Sequence, residues 1–593
     1  MYKSRSQWRI TPLVMVLAGL AGTAQAFELP VENEDFQLRW DNTLRYNYLH
    51  RVESQDDALL KAVNNDDGNR NFDEGTVSNR LDLLSEFDFV YRQQHGFRVS
   101  GAAWYDEAYD HLDNQSVATS NHMQNGQPAP GLSNFTDRYY RGPSGELLDA
   151  FAFTGFDLGA TAVNARAGRH TVYWGESLLL GGALHGISYA QAPVDVAKGF
   201  AVPGAEAKEL FRPQNQISLQ LRPRTDLAVA AQYFLEWEPY RIPEAGSYLG
   251  FNDAILEGGE ALIAAPGSRL IKGRSPRPDD EGDWGLALRW SPEALEGTLG
   301  LHYRKLSDKL PQVHLQPAVA TMPAANCTAL GFTAIAPTTC YVNPGAASLA
   351  DVGAGRIGRY YTAFADDVDL YGISLSRNIG GISVGFELSY RENMPLVSDP
   401  VRILPAALAA ATPGAVTALP VDGETGGARG DTLHGLVNLV GIVGGSPLWD
   451  SLTWATELTW NRWEKVTQNE AVFKGRDGYA AIDKVSRDFW GLALNVTPTW
   501  FQVFPSVDVL LPLSVSGGLD GNSAVILGGN EATGTYSVGV AADLRQRHRF
   551  DLKYVDSFGD VTTDASGAVV VANGNPALLT DRGFVSFTFK TAF

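Results

Sequence analysis

From Leu227 onward the chain alternates. Leu227, Val229, Ala231, Tyr233, Leu235 and Trp237 fall on one face, and Gln232, Glu236 and Glu238 on the other. The stretch from Ile382 sets Ile382, Val384, Phe386, Leu388 and Tyr390 against Ser383, Gly385, Glu387, Ser389 and Arg391. Trp284, Leu286, Leu288 and Trp290 oppose Gly285, Ala287 and Arg289, while Val585, Phe587, Phe589 and Phe593 oppose Ser586, Thr588 and Lys590. Successive side chains of a strand point to opposite faces, so a period of two marks strands with one apolar face. A soluble sandwich would show the same alternation, and periodicity alone does not choose between the two.

The links between strands do choose. About eighteen candidates begin near Phe36, Val77, Phe97, Leu147, Ala162, Gln216, Leu227, Asp283, Gly297, Asp366, Ile382, Asp431, Ser451, Phe489, Ser506, Tyr536, Arg549 and Phe584. Short links such as 93–96, 222–226, 378–381, 292–297, 444–450 and 546–549 alternate with long ones such as 53–76, 111–146, 177–213, 242–281 and 310–357. An even number of antiparallel strands, with short turns at one end and long loops at the other, is the signature of a transmembrane barrel. The expectation is an all-β, closed antiparallel transmembrane β-barrel of about eighteen strands with long external loops. The last strand ends on Phe593. A terminal aromatic on an alternating strand resembles the signal read by the outer-membrane barrel assembly machinery, an expected partner together with outer-membrane lipid and lipopolysaccharide.

The pleat then separates lipid-facing from lumen-facing residues. Trp40, Trp284, Trp290, Trp454, Trp460 and Trp490 are expected outward, with Leu81, Leu83, Phe87 and Phe89. Arg39, Arg45, Arg80, Asp82, Glu86, Asp88, Arg92, Glu236, Glu238, Arg289, Arg304, Glu387 and Arg391 are expected to face the lumen, either as a salt-bridged filling or as an ion path.

The first residues fit this picture. Lys3, Arg5 and Arg9 precede an apolar run and Ala24-Gln25-Ala26, the pattern of a cleaved secretory signal over 1–26. The run is shorter than the roughly 18 residues a spanning helix needs. Residues 27–593 are then the barrel. The apolar stretch 403–421 carries Pro405, Pro413 and Pro420 and reads as a loop with one short helix. Removing 1–26 takes three basic and no acidic residues from a chain of formal charge -20, leaving -23. Such acidity excludes nucleic acid as a partner. Cys327 and Cys340 are the two cysteines, and in an oxidising compartment they are expected to pair.

Motifs for chemistry are sparse. Gly353-Ala354-Gly355-Arg356-Ile357-Gly358 matches a dinucleotide fingerprint by letter but lies in a long loop. Paired histidines at zincin spacing are absent from the sequence. Neither cofactor nor metal is expected. The first long loop holds Asp56, Asp57, Asn64, Asn65, Asp66, Asp67, Asn69, Asn71, Asp73 and Glu74. Oxygen ligands of this kind suit calcium, but EF-hand spacing is absent and the expectation is a solvated loop.

The stretch 167–213 is the most distinctive. It runs through Arg169, His170, Trp174 and Glu176, then an apolar run with Leu178, Leu179, Leu180 and Leu184, then Asp195, Lys198 and Glu206. An apolar external loop in water is costly, so 177–213 is expected to fold into the lumen as a hatch. Its leucines would offer an apolar surface, and its charged residues would hold it to the wall.

These segments carry a family resemblance. Gly168-Arg169 with Val172, Trp174-Gly175-Glu176-Ser177, then Pro193-Val194-Asp195-Val196, then Pro203-Gly204-Ala205-Glu206 with Lys208-Glu209, resemble the "domain of unknown function 1302" family. So do Glu236-Trp237-Glu238-Pro239 and Asp369-Leu370-Tyr371-Gly372-Ile373-Ser374. Ala192 stands where that pattern has Asn. The resemblance implies an outer-membrane barrel that accompanies a periplasmic lipoprotein-carrier-like protein and an inner-membrane exporter. It implies traffic of lipophilic molecules by association, and the expectation is a channel or transporter for a small hydrophobic or lipid-like molecule and not an enzyme. The alternative is a surface enzyme or binding protein that uses the long loops.

Overall fold

The computed structural model describes residues 27–29, 33–114 and 116–593. The signal segment 1–26 lies outside the described residues.

One sheet closes on itself. Its first strands are β1 (Phe36–Arg51), β2 (Gly75–Tyr91), β3 (His95–Asp106), β4 (Ser144–Leu158), β5 (Thr161–His170) and β6 (Gln214–Arg224). They are followed by β7 (Leu227–Phe234), β8 (Trp284–Trp290), β9 (Gly297–Leu306), β10 (Val368–Ile379), β11 (Ile382–Pro395) and β12 (Arg429–Val443). The last are β13 (Ser451–Gln468), β14 (Asp488–Phe504), β15, broken into Val507–Leu510 and Leu513–Asp520, β16 (Gly534–Leu544), β17 (His548–Phe558) and β18 (Phe584–Ala592). Pro512 lies in the break of β15, where a residue without an N–H cannot continue the ladder. Each strand pairs antiparallel with its sequence neighbours, and β18 pairs with β1 from Thr43↔Ala592 to Arg51↔Phe584. The result is a closed antiparallel barrel of 18 strands. Phe27–Leu29 adds a short rung beside the start of β1.

Eight turns of two to seven residues join strands at one end, and nine loops of 13 to 61 residues join them at the other. Every strand begins within three residues of its sequence expectation. None of the helices among the described residues is long and apolar enough to cross a membrane. Outward residues form an apolar band: Trp40, Trp290 and Trp490 are 48%, 41% and 39% exposed, beside Leu83, Leu286, Leu301 and Leu388. Trp284, Trp454 and Trp460 share the outward face by register, and the Trp460 and Trp490 rings lie 6.1 Å apart.

The long loops build a cap over the barrel. Segments Ala261–Ala265, Ser268–Lys272, Arg356–Ala363, Gln312–Pro317 and Val401–Arg402 make a second, five-stranded sheet. Leu59, Trp237, Ile242, Phe251, Leu256, Phe364, Leu578 and Leu579 form an apolar cluster drawn from four loops. Cys327 and Cys340 form a disulfide within 307–367. The 403–421 stretch contains one short helix, Ala406–Ala409, as expected.

The cap corrects two sequence expectations. β7 ends at Phe234, so Trp237 is buried against Phe364 at 4.9 Å and does not face outward. The first loop is not a solvated loop throughout: Asp66, Asp67, Asn69 and Asn71 are buried.

Candidate functional site

β5 ends at His170, whose Nε2 lies 2.8 Å from Ser218 Oγ on β6. The 171–213 loop then leaves the rim and runs across the interior, touching inward-facing residues of β1, β2, β4, β7 to β14 and β18. Its first half carries Trp174, Ile187, Tyr189 and Ala190 into an apolar cluster with Ala287, Leu306, Val368, Leu370, Met394 and Val525. Small wall residues make room for it. A Cβ at Gly285 would meet the Trp174 ring at 2.7 Å, and one at Gly372 would meet Ile187 Cγ1 at 2.7 Å.

Charged wall residues hold the backbone of this half. Glu387 accepts from Ser177 N at 2.9 Å, from Ile187 N at 2.5 Å and from Glu176 N. Glu457 accepts from Leu178 N at 2.7 Å. Arg391 donates to Leu184 O and Gly186 O, both at 3.0 Å, and lies 4.3 Å from the centre of the Tyr189 ring. Arg304 donates to Ile187 O at 3.1 Å and to Tyr189 O. These backbone groups cannot join a helix or sheet ladder here, and the charged wall supplies their partners. Bonds of this kind are stronger than neutral ones and expensive to leave unmade.

The second half is held by side-chain charge. Asp195 caps the Val196–Ala201 helix by accepting from Lys198 N at 2.8 Å and pairs with Arg241 at 3.3 Å. Lys198 pairs with Glu146 on β4, Lys208 with Glu86 on β2, and Glu206 with Lys590 on β18. Arg45 makes a two-pronged pair with Glu209 at 2.8 and 2.9 Å, and also lies 3.7 Å from Asp82, which pairs with Arg80.

The structure sorts the residues named from sequence. Arg45, Glu86, Arg304, Glu387 and Arg391 face inward and touch the loop. Arg80 and Asp82 stand behind Arg45. Arg39 pairs with Asp41, and Asp88 with Arg98, near the short-turn end and away from the loop. Arg289 faces inward in an exposed position. Three lumen assignments are corrected. Arg92 sits in the turn after β2 with φ 50° and pairs with Asp35. Glu236 and Glu238 lie beyond β7, on the rim, where Arg169 and Arg212 pair with them. The alternation in sequence ran past the ends of both strands.

Arg169 and His170 belong to β5 and anchor the start of the loop. Leu184 packs against the apolar cluster, Leu179 is half-buried and Leu178 is 52% exposed. Leu180 opens the short helix Leu180–His185. Sequence reading missed Glu146, Lys208, Glu209, Glu457 and Lys590, along with Ile187 and Tyr189. Glu457 and Lys590 stand on inward positions of alternating strands, so the pleat rule would have found them. Ile187 and Tyr189 carry no such signal.

Fold and site together define a transmembrane β-barrel with a long loop drawn inside it. The chain belongs to a family described as protein of unknown function (DUF1302), whose model matches residues 8–593. No curated protein matches it. Among solved structures it is similar to OpdK of Pseudomonas aeruginosa with vanillate (10% identity, 94% of this chain and 98% of that chain, TM-score 0.36). It is also similar to Acinetobacter baumannii OccAB1 (9% identity, 94% and 96% covered, TM-score 0.40). A third is Salmonella typhi OmpF in complex with daunomycin (7% identity, 95% and 100% covered, TM-score 0.34). Likeness this distant does not speak to cargo.

Proposed function

We propose that the protein is an outer-membrane channel for a small hydrophobic or lipid-like molecule, with the 171–213 loop as its gate. One observation carries the reading: an apolar cluster built between loop and wall inside the barrel, where Trp174, Ile187 and Tyr189 meet Ala287, Val368 and Leu370. A greasy molecule entering there would replace apolar contacts with apolar contacts. The outward apolar band and closed ladder support a place in the outer membrane. A periplasmic carrier-like protein and an inner-membrane exporter fit the same reading as partners.

The test is deletion of 178–199, with heat-modifiability on gels to confirm a folded barrel. The deleted protein is expected to show larger conductance in planar bilayers and faster entry of lipophilic dyes into proteoliposomes. Unchanged permeability in a folded deletion would overturn the gate.

A further inference from the structure

Outside the barrel, three buried carboxylates meet. One oxygen each from Asp66, Asp67 and Asp253 lies within 4.8 Å of the other two, and the residues are 0%, 4% and 0% exposed. Asp66 and Asp67 come from the first external loop, 52–74, and Asp253 from the fourth, 235–283. We propose that they bind one divalent cation that prefers oxygen ligands, calcium by class, and that this ion ties the two loops into the cap.

The hydrogen bonding leaves a gap that a cation would fill. Asp67 Oδ2 accepts from Asn121 N at 2.9 Å, Asp253 Oδ2 accepts from Asp67 N at 3.2 Å, and Asp66 Oδ2 takes Arg70. The Oδ1 atom of all three is buried and accepts no hydrogen bond. A buried carboxylate oxygen without a partner is costly, and three beside one another repel.

Asn121 stands beside the group, with its backbone N–H on Asp67. Its Nδ2 is committed to Asn64 Oδ1 at 2.9 Å and Ala261 O at 2.8 Å, which fixes the orientation of the amide. Its Oδ1 is buried without a donor, on the residue whose backbone N–H already touches Asp67.

Neighbouring arginines neutralise the group only in part. Arg582 donates to Tyr248 O, Gly250 O and Asn65 O, and Arg269 to the carbonyls of Val117, Ala118 and Ser120. Arg70 pairs with Asp66 alone.

The donor set is all oxygen, without histidine or thiolate, which suits a hard cation and not zinc. Calcium takes six to eight oxygens in flexible geometry, whereas magnesium demands a near-octahedral shell and keeps several waters. A closed cluster of carboxylates favours calcium. Asn121 lies in the second external loop, which its bond to Asp67 ties to the site.

The test uses full-length protein in detergent, stripped with EGTA and titrated with CaCl2 by calorimetry. About one calcium per chain is expected, with a Kd at or below about 1 mM, the range of extracellular modules. D67N and D253N should each weaken binding at least about tenfold, and stripped wild type should become more sensitive to protease in the external loops. Absence of calcium uptake by stripped wild type would overturn the proposal and leave protonated carboxyls as the explanation. Equal binding by folded D67N and D253N, or equal competition by magnesium, would also overturn it. The result is independent of the gate, because conductance is not its readout.

Discussion

Between Thr171 and Gln191 the inner loop meets the wall through backbone groups, apolar side chains and two polar contacts, Gln191–Gln232 and His185–His434, and between Asp195 and Leu210 mainly through charged side chains. The first half faces β7 to β14 and is fitted: two wall glycines admit Trp174 and Ile187, and Glu387 and Arg391 serve its backbone. The second half faces β18, β1, β2 and β4 and is clamped by Arg45, Glu86, Glu146 and Lys590. Apolar fit is insensitive to salt, whereas ion pairs weaken with it wherever water reaches them. One loop therefore carries a segment that releases when its packing is displaced and a segment that releases when its charges are screened. On the proposed function, a hydrophobic molecule entering the lumen would compete with the first half and not with the second.

The largest break in this contrast comes from Glu387→Ala. Its carboxylate accepts from Glu176, Ser177 and Ile187, and removing it leaves three backbone N–H groups without an acceptor. Losing one partner of a buried charged network costs about 3–5 kcal/mol. The first half should detach, seen as raised conductance and as new labelling of a cysteine placed at Leu184 by a membrane-impermeant thiol reagent. Wild-type conductance and an unlabelled Leu184→Cys site would show that the network does not hold the loop.

Gly372→Val tests the fit directly and should act less strongly. The added carbon would stand 2.7 Å from Ile187 Cγ1, too close for contact without movement. Overpacking of this kind costs about 1–3 kcal/mol. Partial opening of the first half is expected, with labelling at Leu184→Cys intermediate between wild type and Glu387→Ala. A second substitution, Ile187→Ala, should restore the space and reverse the effect. Opening that Ile187→Ala fails to reverse would mean that the glycine serves the strand and not the loop.

Most of the barrel could be read from residues because a strand shows its two faces in sequence, and loop lengths show which end is which. Arg45, Arg304, Glu387 and Arg391 follow from that rule alone. Arg92, Glu236, Glu238 and Trp237 escaped it because alternating letters continue after the backbone has left the ladder, and composition does not mark the last hydrogen bond. Ile187, Tyr189 and the Asp66–Asp67–Asp253 group escaped for another reason. Their environment is made by segments far apart in the chain, and an acidic loop looks the same whether water or Asp253 lies beside it.

Screening should touch only the second half, and by the smallest amount. Lys590 and Lys208 are 23% and 42% exposed at their side chains, so their pairs with Glu206 and Glu86 meet water. Pairs of this kind contribute about 0–1 kcal/mol each and weaken further with salt. Acid acts on the same segment. Burial works to raise the Glu206 carboxyl, but Lys590 and Lys208 outweigh it and hold the group below its ordinary 4.5. A carboxylate depressed on folding adds stability above its ordinary value and loses it as pH falls through the lowered one. Lys590→Ala and 1 M salt should therefore each raise thiol labelling at Gly204→Cys by a few-fold and leave Leu184→Cys protected, while pH below about 4 should lower the thermal stability of wild type by more than that of Lys590→Ala. Simultaneous labelling at both sites would merge the two halves into one cooperative unit. Protection of Gly204→Cys in both Lys590→Ala and 1 M salt would show that the buried Arg45–Glu209 pair, whose side chains are each 3% exposed, holds the second half by itself.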